Sequence, residues 1–134
     1  MLHSEFNPSE TDPVHFLQVW IVPERQGMEP SYEQKRFEDD EKRGRLRLIG
    51  SRDGREGSIT IHQDVNLYAG LFNDGESHSL RVGEGRHVWV QVIRGSLRVN
   101  GELLDGGDAA AIRETQAVTI EGVDAAEALV FDLA

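Results

Sequence analysis

The sequence predicts an all-β fold, a barrel or double-stranded jelly roll preceded by an N-terminal arm made of one strand and a linker. After Gly57, short segments with alternating apolar residues follow one another, and clusters of glycine, asparagine and aspartate separate most of them. The chain has 134 residues with 38% hydrophobic positions, which suffices for one core but not for two independent barrels. Together these observations predict one barrel domain with an added arm.

The predicted arm occupies residues 1–57. Val14 to Val22 form a near-continuous apolar run that ends at Pro23, and this pattern predicts one well-buried strand over 14–22. Proline has no N–H to donate to a sheet, so the strand is expected to stop there. The stretch that follows is polar and charged, with glycine and proline throughout, and it predicts a linker with at most short elements.

The predicted barrel occupies residues 58–134. Within its segments the period is two: Val88, Val90 and Val92 share one face, and Trp89 lies on the other. The valine face is the natural core, and the tryptophan indicates that the second face is also covered. The predicted strands are 59–64, 65–72, 78–82, 87–93, 96–100, 108–112, 117–121 and 128–133.

Composition limits the partners and the location. The 24 acidic and 14 basic side chains give a formal net charge of -10, which repels polyanions, so we expect no direct nucleic-acid binding. The chain has no cysteine, which excludes disulfides and thiolate metal sites and fits a reducing compartment. No apolar run reaches membrane-spanning length and no signal pattern is visible, so no membrane contact is expected and the cytoplasm is the expected location.

Four stretches resemble a known family. The run from Val90 to Ile112, VQVIRGSLRVNGELLDGGDAAAI, resembles the barrel signature of the cupin superfamily. The opening HSEFNPSETDPVHFLQVWIVPE, then PSYEQKRF, then HQDVNLYAG resemble successive landmarks of the pirin family, in the right order. Pirins are two-cupin chains, and the resemblance covers only their later part. It implies that residues 1–57 are a remnant of the first cupin plus the linker, and that 58–134 are the C-terminal cupin barrel.

The resemblance also implies a metal site in the first cupin, held by an early His-x-His pair and a later His-x-Glu pair. His3 and Glu5 match the later pair, and on a strand their side chains would point to one face. The early pair has no counterpart in this sequence. Firm binding of Fe, Ni, Cu or Zn takes three or four ligands, so we expect only a partial site and no cofactor in the isolated chain.

The barrel itself offers no matching ligand set. His78 and His87 do not form a His-x-His pair, and Ala109 to Ala111 occupy the place of the last cupin histidine, so we expect this barrel to be metal-free. His62 and Asp64 could share a strand face as an acid-base pair, and His15 could line a cavity. For both we favour a structural role.

The sequence therefore predicts a non-catalytic binding or structural module, and whether it is an enzyme stays open. An apolar strand without a partner has an unpaired edge, which predicts a homodimer formed through the N-terminal arm. The first alternative, implied by the resemblance, is a metal-dependent dioxygenase of the quercetin 2,3-dioxygenase kind with its site completed in trans. The second is a regulatory protein whose acidic surface binds a basic protein partner.

Overall fold

The computed structural model describes residues 2–134 and is mostly β-structure. One short helix, α1 (Asp39–Lys42), and one 3-10 turn (Arg55–Gly57) precede or interrupt the strands. The strands are β1 (Leu46–Ser51), β2 (Ile59–Thr60), β3 (Val65–Phe72), β4 (Ser77–Arg81), β5 (His87–Val99), β6 (Glu102–Asp105), β7 (Ala109–Ile112) and β8 (Ala117–Leu133). No helix among the described residues has the length and apolarity to cross a membrane.

The eight strands form one hydrogen-bonded sheet that folds over into two layers. Its main path runs β2-β1-β3-β8-β5-β6, with β4 paired to β8 and β7 paired to β5. The later half of β8 pairs with β3, from Phe72 opposite Ala126 to Val65 opposite Leu133. The earlier half of β8 pairs with β4 instead. One long strand therefore serves both layers, which confirms the predicted double-stranded jelly roll.

The crossing from one layer to the other explains why two predicted pairs of strands are single strands. The predicted strands 87–93 and 96–100 merge into β5 through register shifts around Arg94, and 117–121 and 128–133 merge into β8. Gly95 sits at this bend with φ 69, and a Cβ placed there would lie 2.1 Å from the carbonyl oxygen of Asp124. Only glycine tolerates this backbone conformation and this close contact with the Asp124 carbonyl. The residue that looks like a turn in the sequence is therefore a bend within β5.

The valine face of β5 is the core, as the sequence predicts. Val88, Val90 and Val92 are at most 2% exposed, and Val90 lies opposite Val130 across the β5–β8 pair. Val118 and Ile120 close the core from the other layer and are fully buried. Aliphatic side chains of similar size therefore fill the space between the layers, which is the arrangement that dense packing favours.

Two further features, both in the N-terminal region, differ from the sequence prediction. Residues 14–22 carry no strand or helix, and most of their apolar side chains are exposed, so the predicted buried strand is wrong for this chain: no neighbouring strand is present to pair with it. The predicted linker contains β1, which pairs with β3. Leu46 and Leu48 of β1 point into the core while Arg45 and Arg47 point outward, so the strand looks charged in the sequence.

Candidate docking surface and partial metal site

The N-terminal segment is fixed to the barrel from Val22 onward. The side-chain amide of Gln63 donates to the carbonyl oxygen of Val22 at 2.8 Å, and the backbone N–H of Glu24 donates to the carbonyl oxygen of His62 at 3.0 Å. Arg52 adds an ion pair with Glu24. Between residues 2 and 21 the hydrogen bonds stay within the turn formed by residues 7–12. The segment from residue 2 to residue 21 therefore makes no hydrogen bond to the barrel.

A second attachment lies further along. The carboxylate of Glu33 accepts the backbone N–H of Thr60 at 3.0 Å, and Lys35 donates to the carbonyl oxygens of Gly57 and Ser58, each at 3.1 Å. The hydrogen bond from Thr60, followed by the one from Lys35, lowers the pKa of Glu33 below its ordinary value. The bond from Glu33 occupies the backbone N–H of Thr60 in β2, an edge strand, and so makes that edge less available for pairing with other chains.

Ahead of Val22, the segment crosses the outer face of the larger layer, which is formed by β1, β3, the later half of β8 and the start of β5. That face is apolar: Phe131 lies between Leu67 on β3 and Trp89 on β5, and Leu129 is the next residue of β8 on the same side. Leu17, Val19 and Ile21 share with Trp89 and Phe131 an open groove of about 440 Å³. We call residues 14–22 the apolar arm and the side chains of Leu67, Trp89, Leu129 and Phe131 the outer face. The arm covers this face partly, since Trp89 stays 42% exposed.

Exposure along the apolar arm alternates. Val14 and Phe16 are 57% and 58% exposed, and Trp20 and Val22 are 84% and 79% exposed. The residues between them are less exposed, with Leu17 and Val19 at 45% and Ile21 lower still. A run of large apolar side chains this exposed is uncommon on a folded domain. His15 lies in the same segment and is exposed beside the ion pair of Arg94 and Glu127.

The two residues of the predicted partial metal site lie next to each other. His3 Nε2 and Glu5 Oε1 are 3.7 Å apart, and both side chains are about half exposed, at 52% and 51%. They offer one nitrogen and one carboxylate donor. Across residues 2–134, no three histidine, aspartate or glutamate side chains come together as a metal site. The donors of this chain alone therefore do not make a complete metal centre.

The remaining histidines lie apart. His62 has φ 59 after the end of β2, and the carboxylate of Asp64 accepts a hydrogen bond from Arg86, so the two residues do not share a strand face as an acid-base pair. His78 lies opposite Ile120 on the core side of the smaller layer, which contains β4 and the earlier half of β8. Partial burial lowers the pKa of His78 there. His87 is exposed at the start of β5.

One buried polar cluster escaped the sequence analysis. The carboxylate of Asp132 accepts from Arg86 Nε at 2.6 Å and from Asn66 Nδ2 at 2.9 Å, and Arg86 Nη1 donates to Asp64 at 3.0 Å. The cluster joins the last residues of β8 to the starts of β3 and β5. Burial, and then the charge of Asp132, raise the pKa of nearby Tyr68. One feature of the sequence could have indicated this cluster: Asp132 stands inside the apolar run ALVFDL. A carboxylate buried in such a strand needs a charged or hydrogen-bonding partner.

Comparison with known proteins places this barrel in a family. The family model described as the quercetinase C-terminal cupin domain matches residues 48–133, which includes most of β1. Quercetin 2,3-dioxygenase of Escherichia coli K12 is 40% identical over 131 residues, covering 98% of this chain and 55% of that protein. A putative quercetin 2,3-dioxygenase of Pasteurella multocida is 37% identical over 133 residues, covering 98% and 56%.

Solved structures agree with the sequence matches. The bacterial pirin YhhW from Escherichia coli in complex with nickel(II) superposes with a TM-score of 0.79 at 38% identity, over 85% of this chain and 48% of that one. The chain spans about half the length of the curated relatives it matches. The match of the family model over most of β1 to β8, with the fold likeness, shows that this chain belongs to the pirin family and carries its C-terminal cupin domain.

Proposed function

We propose that this chain is a non-catalytic cupin module that works by docking onto another protein chain through the apolar arm and the outer face. The observation that carries the proposal is the exposure of the arm beside a sheet face that is itself apolar. Trp20 and Val22 are more than three-quarters exposed, and Trp89 remains open to solvent below them. Burial of such side chains stabilises an interface, since each fully buried large apolar side chain contributes about 1.5–3 kcal/mol.

The interior of the barrel supports the non-catalytic part of the proposal. Cupin metal sites need ligand side chains that point inward, toward a cavity that admits substrate. Here the inward positions of the central strands hold Val88, Val90, Ile120 and Val130, all at most 2% exposed. Ala110 of β7 lies opposite Val90. These side chains pack against one another and offer no donor to a metal or a substrate.

The proposal is tested by metal content and turnover of the purified chain. We expect neither stoichiometric iron, nickel, copper or zinc nor consumption of quercetin by the chain alone. The variant His3→Ala is compared with His87→Ala, which removes an exposed histidine of the barrel. Stoichiometric metal that disappears with His3→Ala but persists in His87→Ala, together with quercetin turnover, would overturn the non-catalytic proposal.

A second candidate is a metal-dependent dioxygenase whose site is completed in trans. One support is that His3 and Glu5 place two metal donors side by side, on a segment without backbone hydrogen bonds to the barrel. Another is that relatives of the chain are named quercetin 2,3-dioxygenase. His3 and Glu5 would supply two ligands, and a second polypeptide would supply the rest. A metal held by such a shared ligand set would supply Lewis-acid chemistry.

This candidate predicts that activity appears only on mixing. The chain is combined with a polypeptide that contains the N-terminal half of the Escherichia coli relative, and nickel binding and quercetin consumption are measured. Both should be lost with His3→Ala or Glu5→Gln and retained with His87→Ala. A mixture that forms a complex but binds no metal would exclude this function while leaving the docking function intact.

A further inference from the structure

Strand β4 forms one edge of the smaller layer, and its outward backbone groups have no partner. β4 pairs with β8 on one side only. The N–H of Gly122 donates to the carbonyl oxygen of Glu76 at 2.8 Å. In an antiparallel pair alternate residues exchange both hydrogen bonds, so the even-numbered residues of β4 bond to β8. The backbone N–H and C=O groups of Ser77, Ser79 and Arg81 therefore point away from the sheet, and no residue from 2 to 134 bonds to them.

The other edges of the sheet are covered or shorter. On β2, the carboxylate of Glu33 accepts the N–H of Thr60. On β1, the guanidinium of Arg47 donates to the carbonyl oxygen of Leu48 at 2.8 Å. The edge strands β6 and β7 have only four residues each. Since folded proteins protect the edges of their sheets against pairing, the uncovered edge of β4 is a site where a further strand can be added.

Side chains beside this edge are also incompletely covered. His78 and Leu80 face the core, yet both stay partly exposed. On the neighbouring strand β8, Val118 and Ile120 face the core in the same layer and are fully buried. A strand added beyond β4 would place its own inward side chains next to His78 and Leu80, as β4 does for β8.

We propose that the edge of β4 binds an extended segment of a partner protein as an antiparallel strand of the smaller layer. This surface is separate from the apolar arm, which crosses the larger layer, so the inference goes beyond the docking function proposed above. The antiparallel direction follows from the layer itself, in which β4, β8, β5 and β6 all pair antiparallel. Each outward residue of β4 exchanges two hydrogen bonds with the residue opposite it.

Two charges on the outer surface of this layer indicate which segment fits. Arg81 is exposed at the end of β4, and Glu121 lies on β8 between Ser77 and Arg98. Neither Arg81 nor Glu121 forms an ion pair with any of residues 2–134. Adjacent strands lie about 5 Å apart, so a long basic side chain opposite the small Ser77 reaches Glu121, and a carboxylate opposite Arg81 pairs with its guanidinium. The partner segment therefore has an acidic residue followed four positions later by a basic one.

Synthetic peptides test this charge order on the intact chain. The peptide VEVTVRV places its glutamate opposite Arg81 and its arginine opposite Ser77, and the control peptide VRVTVEV exchanges the two charges. Hydrogen exchange at the amides of Ser77, Ser79 and Arg81 is measured by NMR as peptide is added. At about ten times the dissociation constant of VEVTVRV, exchange should slow about tenfold, because a bound strand must leave before these amides exchange. The amide of Leu103, at the edge of β6, should exchange at its original rate.

Variants of the chain separate edge pairing from nonspecific adhesion. Ser79→Pro removes an outward N–H without removing a bond to β8, so it should abolish the protection, whereas Ser79→Ala keeps the N–H and should retain it. The double variant Arg81→Glu with Glu121→Gln keeps the backbone edge and should bind VRVTVEV more tightly than VEVTVRV. Its reversed preference tests the charge argument even where Ser79→Pro does not fold.

The inference is overturned if neither peptide slows exchange at the three amides up to millimolar concentration, if both peptides bind with equal affinity, or if the double variant keeps the original preference. A chain that is a dimer by itself, and that Ser79→Pro converts to a monomer in light scattering, also overturns it, since a second copy then occupies the edge. Each of these results leaves the docking function standing, because that function depends on the apolar arm and the outer face.

Discussion

Removing the arginine from the buried cluster at the end of β8 tests how the barrel is held together. Arg86→Met keeps the apolar length of the side chain and deletes its charge and its donors. The side chain of Asp132 is 9% exposed and that of Arg86 is 20% exposed. In the variant, the Asp132 carboxylate keeps only the hydrogen bond from Asn66, so a buried negative charge loses its counter-ion.

The expected loss in the free energy of unfolding follows from these contacts. Breaking a fully buried ion pair by removing one partner costs about 3–5 kcal/mol, and the partial exposure of Arg86 places the expectation at the lower end, about 3 kcal/mol. Asp132→Leu should cost less, about 1–2 kcal/mol, because Arg86 retains Asp64 and can reach water. The double variant should be more stable than the sum of the two single losses predicts, since the unpaired charge is then absent.

Urea unfolding followed by tryptophan fluorescence measures these free energies, at one protein concentration because association contributes to stability. Arg98→Met is the control, as Arg98 is an exposed residue of β5, the strand that follows Arg86, and its change should stay within about 0.5 kcal/mol. A loss below about 1 kcal/mol for Arg86→Met, or strict additivity in the double variant, would refute the view that the pair is coupled and buried.

Two further predictions concern the bend in β5 at Gly95 and the partly buried His78. Gly95→Ala should cost more than Gly85→Ala, because both glycines have positive φ (69 and 74) but a Cβ meets Asp124 at 2.1 Å only at Gly95. The control should lose about 1–2 kcal/mol and Gly95→Ala about 1–3 kcal/mol more, measured by urea unfolding; equal losses would contradict the close approach. Burial lowers the pKa of His78 from 6.5, so the folded state binds this proton less readily than the unfolded state. Its contribution to stability is present above about pH 6.5 and is lost as the pH falls through the folded pKa, so His78→Gln should flatten the pH dependence of stability below about pH 6.5, and an unchanged slope there would contradict it.

The proposed docking function allows more than one partner chain. The arm is held at Val22 and Glu24 by hydrogen bonds, and ahead of them it depends on whatever covers its apolar side chains. A second copy and a separate cupin polypeptide would compete for the same residues. An excess of either partner should then displace the other, which competition followed by light scattering would detect.

Several features of the fold were readable from residue pattern alone. Alternation at Val88, Val90 and Val92 identified the core face of β5 because a period of two is a local property of strands. The glycine and asparagine clusters marked the turns for an equally local reason. The stretches shared with pirins identified the family, which the match over residues 48–133 confirms. The partial metal site at His3 and Glu5 and the homodimer remain predictions.

Other features depended on contacts between distant residues. The apolar run 14–22 was expected to be a buried strand, but burial needs a neighbouring strand, and the described residues provide only the outer face below it. The strand β1 was hidden because Arg45, just before it, and Arg47, within it, alternate with the buried Leu46 and Leu48, and only the pairing with β3 showed that this segment is a strand. Likewise, the turn signal at Gly95 could not distinguish a chain reversal from a bend within one long strand.

By itself, then, the sequence determined the all-β class, the valine core face of the barrel and the family, because periodicity, turn chemistry and motif order are properties of neighbouring residues. Tertiary structure alone decided that β5 and β8 each run through both layers, that Asp132 pairs with Arg86 across 46 positions of sequence, and that the apolar arm lies unpaired on the outer face. The physical reason is that pairing and burial depend on which distant segments are present to complete them.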